Sequence, residues 1–496
     1  MRNRMIVFVG LFMLGAGVLR AADGVEWAKI TAQSTHVRYQ PFLAADGQSD
    51  RAFMAWLSEP YGGGTKEAPK DVWWMLEMPR KIRVQGAKII GDSRGGSPFP
   101  KNLRVEWRDG ETWKTAGEVR NATATTVTVT WPEVLETTTL RVFIAGRDVP
   151  GVVRIVEFIP ILADGGEKTV PAILGLSPTQ ASIPFPGPQF PSAVAAGLPA
   201  FKYQGVVLDY KDLKYNPCDD IIVPSVISTE KLEKPLGRYY MYYAPHNSPG
   251  GICLAYADAL EGPWKEHPGN PLISRDWQPH YKVSHVSGPH AIWMEEEKKL
   301  FVYYHGENNI TRFASSTDGV NFKYEDVAFT TQMFPELSEA SYARMFRYTI
   351  PGKDSRYIAL IMGNNKGTRR IYMATSKDGR TWELRQTPLV DPPPGTDQIA
   401  NASYVFWKGK HYLVYHAHWS VQNMVADLHV SEVDPTFEQT KYVGLLFDHK
   451  AAGLDNVAQM SANFIPDNGK LYLFVNIGPR LHQKIALAIA PGENNK

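Results

Sequence analysis

The stretch YYMYYAPH, Tyr239 to His246, holds four tyrosines and no charge before its closing histidine. Aromatic enrichment of this kind, without a helical period, reads as a β-strand. The same kind of run returns as FVYYHGE from Phe301, YIALIMGN from Tyr357, YLVYHAH from Tyr412 and YLFVNIG from Tyr472. Aligned on Tyr240, Phe301, Tyr357, Tyr412 and Tyr472, the runs lie 61, 56, 55 and 60 residues apart. The first four are each followed by a further strand and a turn: LAYADALEGPW, FASSTDGVNF, YMATSKDGRTW and LHVSEVDPTF. The last has only IALAIAPG. A strand-rich unit of this length in five copies predicts a five-bladed β-propeller over residues 201–492.

The turns Ser316-Thr317-Asp318-Gly319 and Ser376-Lys377-Asp378-Gly379 resemble Asp-boxes, in which the carboxylate caps its own turn. They are read as structural punctuation. Before the propeller, residues 163–200 are rich in proline and glycine and predict a linker, or a strap across the next domain. Residues 25–162 alternate in short β-like runs, DVWWMLEM, KIRVQGAKII, LRVEWRDGETW, TVTVTW, TLRVFIAG and VRIVEFIPI, so the whole chain is expected to be all-β. The segment Trp73-Trp74-Met75-Leu76-Glu77, the stretch WRDGETW (Trp107 to Trp113) and the closing VRIVEFIPI resemble a discoidin-type (coagulation factor 5/8 C-type) β-sandwich. That resemblance implies a carbohydrate-binding domain.

A chain of 496 residues is long enough for two or three domains, and 44% hydrophobic with 21% charged residues is the composition of a globular protein. The formal net charge of +2 gives no global reason to expect a nucleic-acid partner. The N-terminus has a basic start (Arg2, Arg4), an apolar run from Met5 to Leu19 and small residues at Ala21 and Ala22. This pattern predicts a signal peptide over residues 1–22 and a secreted or periplasmic protein. No other run has the roughly 18 apolar residues of a membrane span. Cys218 and Cys253 are the only cysteines, too few for a disulfide scaffold or a zinc site. With Cys218 on the innermost strand of blade one and Cys253 on the third, the strand spacing of about 4.8 Å sets them beyond disulfide reach.

In a propeller the innermost strand of each blade lines the central channel, so residues distant in sequence converge there. The innermost stretches YNPCDDIIVPSVI, VSHVSGPHAIW, ELSEASYARMFRY, TDQIANASYVFW and GLDNVAQMSANF supply Asn216, Asp219 and Asp220; His285 and His290; Glu336, Glu339, Tyr342 and Arg344; Asp397 and Asn401; and Asp455, Asn456 and Gln459. These stretches resemble the five-bladed glycoside hydrolases of family 43 and their family 117 relatives, which implies a base Asp on blade one, a pKa-tuning Asp on blade two and an acid Glu on blade three. VPSVI falls on the family's Asp-Pro-x-Val-Ile, so Val223 takes the base position and Asp219 or Asp220 would replace it. SGPHAIW places His290 at the tuning position, and SEASYARMFRY makes Glu339 the acid.

At the channel mouth lie His246, Asn247, His305, Glu307, Arg312, His416, His418 and Trp419. Histidines at corresponding ends of repeated strands point at one pocket, and Trp419 is a candidate sugar-stacking platform. Together with Arg312, Arg344 and Arg347, they suggest an anionic ligand, uronate or sulfate. His416-x-His418 would put both rings on one strand face toward a transition metal, without a known third ligand; no metal is assigned, and a Ca²⁺ ion in the channel is left open. Three functions stand: a glycoside hydrolase acting on a plant or algal polysaccharide or oligosaccharide; a polysaccharide lyase using Tyr342, His285 or His290 on a uronate; and a non-catalytic carbohydrate-binding protein.

Overall fold

The computed structural model describes residues 28–33, 41–47, 56–58, 71–91, 99–146, 153–176, 190–334, 336–365, 368–396, 398–420, 425–454 and 457–492. The expected signal peptide, Asp397, Asp455, Asn456 and the side chain of Trp419 lie outside the described residues. Two compact units divide the chain, Met1–Pro186 and Gly187–Lys496. Among the described residues no helix is long and apolar enough to cross a membrane.

The first unit is a discoidin-like sandwich of seven antiparallel strands: β1 (Lys29–Ala32), β2 (Trp56–Leu57), β3 (Val72–Gly91), β4 (Leu103–Asp109), β5 (Thr112–Val119), β6 (Thr126–Ile144) and β7 (Arg154–Leu162). Their order is β2-β7-β3-β6-β4-β5, with β1 also on β3. The runs DVWWMLEM and KIRVQGAKII, read as separate strands, are one strand here, as are TVTVTW and TLRVFIAG. In each fused strand a proline, Pro79 or Pro132, sits where the register of the β3–β6 ladder slips. Lacking an N–H, proline cannot hold a ladder position, so the strands bend there and their halves serve both layers. Trp56, Trp74, Trp131 and Phe158 fill the space between the layers.

The second unit is the propeller. Blade one is built from Ile222–Ser228, Tyr239–Ala244, Cys253–Ala257 and Lys265–Glu266, and blade two from Ser287–Met294, Lys299–Gly306, Ile310–Ser316 and Lys323–Thr330. Blade three comprises Leu337–Arg347, Tyr357–Asn365, Thr368–Ser376 and Glu383–Leu384, and blade four Gln398–Trp407, Lys410–Ser420, Val425–Val433 and Thr440–Phe447. Blade five has Ala462–Asp467, Lys470–Ile477 and Lys484–Pro491, and its missing outer strand is Lys202–Leu208, from the start of the unit. Each inner strand touches the inner strand of the next blade, and that of blade five touches that of blade one, so the ring is closed.

The tyrosine-rich run now has a physical reason. Along a strand, side chains alternate between faces; Tyr240 and Tyr242 enter the core shared with blade two, while Tyr239, Met241 and Tyr243 enter the core shared with blade five. Both faces are dry, so no polar residue interrupts the run. The Asp-boxes fasten the same seams: Asp318 Oδ1 accepts from the N–H groups of Val320 and Asn321 at 2.8 Å each, and the Tyr242 hydroxyl crosses from blade one to donate to Gly319 O at 2.6 Å. Tyr303 does the same to Gly379 O at 2.5 Å, one seam further on.

Cys218 does not lie on the innermost strand, which begins at Ile222; it precedes it in a loop, while Cys253 opens the third strand as expected. Both thiols are free. Residues 190–200 lie along blade four: Ser192 pairs with Leu445, Trp407 Nε1 donates to Gly197 O at 3.1 Å, and Ala193 and Leu198 are buried.

Removing the Asx cap by Asp318→Ala leaves two turn N–H groups without their acceptor. It is expected to destabilise the propeller by about 1–2 kcal/mol, measured as a lower urea midpoint with unchanged strand content by circular dichroism.

Candidate active site

Antiparallel pairing sets the start of each inner strand beside the end of the second strand of its blade. Ile222 lies opposite Ala244, Ser287 opposite His305, Glu339 opposite Asn364, and Ala400 opposite His416. Four inner strands carry one extra residue just after this point, and in each the extra turn of backbone is left-handed: Val223 (φ 57), Gly288 (φ 63), Tyr342 (φ 48) and Asn401 (φ 53). A left-handed residue makes such a bulge because it re-aims the chain within one step. For Val223 that conformation is strained, at a cost of order 1–3 kcal/mol.

Blade three shows how the pairing builds the site. Glu339, Asn364 and Arg369 form one row across three strands. Arg369 Nη2 and Nε bind the two oxygens of Glu339 at 2.7 Å each, and Asn364 Nδ2 adds a bond of 2.9 Å. Burial alone would raise the Glu339 carboxyl, but this fork outweighs it and holds the group below the usual carboxylate range. A general acid needs the opposite shift, so in this arrangement Glu339 is an ionised carboxylate and not the proton donor expected from the sequence.

On blade one, Asp219 and Asn216 bond each other, Asn216 Nδ2 to Asp219 Oδ1 at 2.8 Å and Asp219 N to Asn216 Oδ1 at 2.9 Å, in an exposed turn. Asp220 is the inward carboxylate of the pair: it is fully buried, accepts from Gln483 N at 2.5 Å and has its other oxygen 3.3 Å from His246 Nδ1. That approach is close but off the line of a hydrogen bond.

Histidines surround these groups. The His305 ring is buried 4.4 Å from the Tyr342 ring and 6.1 Å from that of His285, and both its nitrogens lack a hydrogen-bond partner. Burial drives His305 and His416 down to about 3, and it lowers His285 as well, so these rings are neutral at ordinary pH. Asn401, on blade four, is completely buried with neither side-chain atom paired. The Tyr342 hydroxyl lies where the charges of Arg369, Glu339, Arg480 and Asp220 all act on it; burial is the larger influence and raises its pKa.

Other expected residues are occupied elsewhere. His290 is buried with Nε2 bonded to Met345 O at 2.7 Å, and burial pushes it to about 3. Arg344 donates from Nη1 and Nη2 to Pro224 O at 3.3 Å, and burial lowers it to about 10. Both groups bond an inner strand of another blade, so they tie the ring together beneath the site. Arg312 pairs with Glu307 at 3.3 Å and lies over the Tyr281 ring, and Arg347 pairs with Glu296 at 3.1 Å. None of the three arginines proposed for an anion is therefore uncommitted. His418 lies with its ring 5.2 Å from that of His416, and Glu336 is exposed, accepting from Asn365 Nδ2. Gln459 lends its carbonyl to Asn476 and Gln483. Among the described residues no three His, Cys, Asp or Glu are grouped to hold a metal. Arg369, Asn364 and Gln483 went unnoticed in the sequence, because only strand register reveals them.

No family model and no curated protein matches the chain. Among solved structures it is similar to a glycosyl hydrolase from Bacteroides ovatus, with 11% identity and a TM-score of 0.43 over 60% of this chain and 96% of that one. A structure reported for the GH130 family of mannoside phosphorylases, described as containing glycoside hydrolases that target β-1,2 mannosidic linkages in Candida mannan, has 13% identity and a TM-score of 0.45 over 60% and 97%. The family 32 carbohydrate-binding module of C. perfringens NanJ, in complex with galactose, has 14% identity and a TM-score of 0.23 over 26% and 90%.

Two outcomes follow from this packing. A Cβ at Gly288 would fall 2.6 Å from the His305 ring on a left-handed backbone, so Gly288→Ala is expected to destabilise the propeller by about 2–4 kcal/mol, seen in the urea midpoint. His290, His305 and His416 titrate near 3 when folded against an ordinary 6.5. Their contribution to stability is complete above about pH 6.5 and is lost as pH falls toward 3, by about 1.4 kcal/mol per histidine per unit. Urea midpoints should hold steady from about pH 8 to 7 and drop steeply below about 6, with a shallower slope for His290→Gln.

Proposed function

We propose that the chain is an exported carbohydrate-active enzyme, secreted or periplasmic, and that it is a glycoside hydrolase acting on a plant or algal polysaccharide or oligosaccharide at the mouth of the propeller channel. The observation that carries this reading is a pair of carboxylates beside one cluster: Asp220, just ahead of the Ile222 and Val223 that pack with Tyr342, and Glu339, on the same inner strand as Tyr342. Glycoside hydrolysis uses two carboxyl groups across the scissile bond, one ionised and one in exchange with a proton.

The two carboxylates differ in their partners. Glu339, gripped by Arg369, takes the ionised role, as base for water or as counter-charge to an oxocarbenium-like transition state. Asp220, 3.3 Å from His246 and without an arginine partner, is assigned the other role, at the leaving oxygen. Tyr342 and the neutral His285 and His305 supply donors and acceptors for sugar hydroxyls, and the sandwich, by its resemblance to carbohydrate-binding modules, holds the same polymer.

The lyase reading is less well supported. Its base would be Tyr342, His285 or His290, yet burial raises the phenol and lowers His285, which makes both poorer bases near neutrality. His290 is bonded to Met345 O and belongs to the frame.

A panel of plant and algal polysaccharides, read by new reducing ends and by ultraviolet absorbance, tests the assignment. Reducing ends without absorbance are expected, and on the active glycan Glu339→Gln and Asp220→Asn should each lower kcat by about 100-fold or more while leaving circular dichroism unchanged. Turnover that survives both substitutions would remove the carboxylate pair from the mechanism, and an unsaturated product would replace hydrolysis by elimination.

A further inference from the structure

Arg480 stands in the loop between the second and third strands of blade five, and that loop is fixed at both ends. Ala458 N donates to Gly478 O at 3.1 Å, and His482 N donates to Pro479 O at 3.1 Å. Immediately after the loop, Gln483 N donates to Asp220 Oδ1 at 2.5 Å and Gln483 Nε2 to Gln459 O at 2.6 Å. The loop carrying Arg480 is thus tied directly to one of the two inward carboxylates. Arg480 stands three residues before Gln483, the partner of Asp220, and its charge acts on the Tyr342 phenol together with that of Arg369.

Among the described residues of the propeller, every other arginine side chain has a partner. Arg369 has Glu339, Arg312 has Glu307, Arg380 has Glu297 and Glu325, and Arg344 has a backbone carbonyl. Arg238, short of an ion pair, lies over the Tyr239 ring. Arg480 is exposed and has none of these. The acids of the site are distributed just as unevenly. Glu339 and Glu307 are already answered by arginines, whereas Asp220 faces a histidine and a backbone N–H. An acidic ligand approaching Asp220 is repelled unless a cation that no protein group has engaged stands beside it. A guanidinium meets that need, since its planar fork binds a carboxylate or a sulfate bidentately.

We propose that Arg480 anchors the acidic group, carboxylate or sulfate ester, of an anionic sugar bound at this site, and so selects charged over neutral glycans. The proposal rests on reading the channel mouth as a carbohydrate site. It also moves the anion contact away from Arg312, Arg344 and Arg347, which the protein uses internally.

The test compares matched glycans: polygalacturonate with its carboxyl-reduced form, and a sulfated algal galactan with its desulfated form. Wild type is expected to prefer one acidic member by about tenfold or more in kcat/KM. Arg480→Gln should reduce that ratio by about tenfold, mainly through KM, and Arg480→Lys should restore part of it. The pair that responds tells carboxylate from sulfate. A ratio unchanged in Arg480→Gln, or a wild type that prefers the neutral members, overturns the proposal while leaving hydrolysis standing. If no glycan is turned over, the hydrolase reading fails on its own, and calorimetric titration with sodium glucuronate and galactose 6-sulfate decides here. Binding lost in Arg480→Gln supports the anchor, and binding that is absent in wild type or unchanged in the variant overturns it. An unchanged urea midpoint certifies that the variants are folded.

Discussion

The pairing of Lys202–Leu208 with Lys484–Pro491 closes the ring on which the site depends. Without that pair, blade five would end in an open edge beside blade one. With it, Val226 N reaches Asn463 Oδ1 at 2.9 Å, and Asp220 meets Gln483, partners separated by 237 and 263 residues. Loop-closure entropy rises only logarithmically with length, so joining such distant segments costs little more than joining near ones. The closed seam then buries Leu208, Phe474, Ile485 and Leu487 against Met241 and Tyr243.

Charge is handled differently at the frame and at the site. Beneath the mouth, His290 and Arg344 bond carbonyls on inner strands of other blades, His290 on blade three and Arg344 on blade one. At the mouth, the strong charges cancel in the Glu339–Arg369 fork, and the surrounding rings of His285 and His305 are kept uncharged by burial. Neutral donors and acceptors beside the ionised fork, with Asp220 as a further carboxylate, suit a ligand rich in hydroxyl groups.

How much of this could be read beforehand follows from the range of each interaction. The five tyrosine- and phenylalanine-led strands were legible because they are buried on both faces and repeat at nearly constant spacing. The outer strand KYQGVVL was not, since it precedes the first repeat and finds its partner only at the far end of the chain. Within the sandwich, runs read as separate strands are continuous ones that bend at Pro79 and Pro132. At the site, the contributing segments were correctly gathered by the propeller argument, and Asp220, His246, His285, His305, Glu339 and Tyr342 do assemble. What each does depends on cross-strand register, which puts Arg369 opposite Asn364 and Asn364 opposite Glu339, and no local pattern reports that. His290 was read as the pKa-tuning residue and Arg344 as a ligand contact because the sequence cannot show that a carbonyl of another blade stands closer than any ligand.

Val223 carries a consequence beyond its strain. Its left-handed backbone is shared by Gly288, Tyr342 and Asn401, a glycine, an aromatic and an amide, so the shape is imposed by the ring and not by local preference. The repeats therefore separate shape from chemistry. The position carries an amide in one blade and an aromatic in another on one backbone shape, while at Gly288 the His305 ring leaves room for no side chain, and a β-branched residue held at Val223 records how firmly the surrounding blades dictate the path. The propeller is in this sense a socket with interchangeable fittings, in which the reactive group can migrate from blade to blade while the geometry that receives the ligand stays where it was.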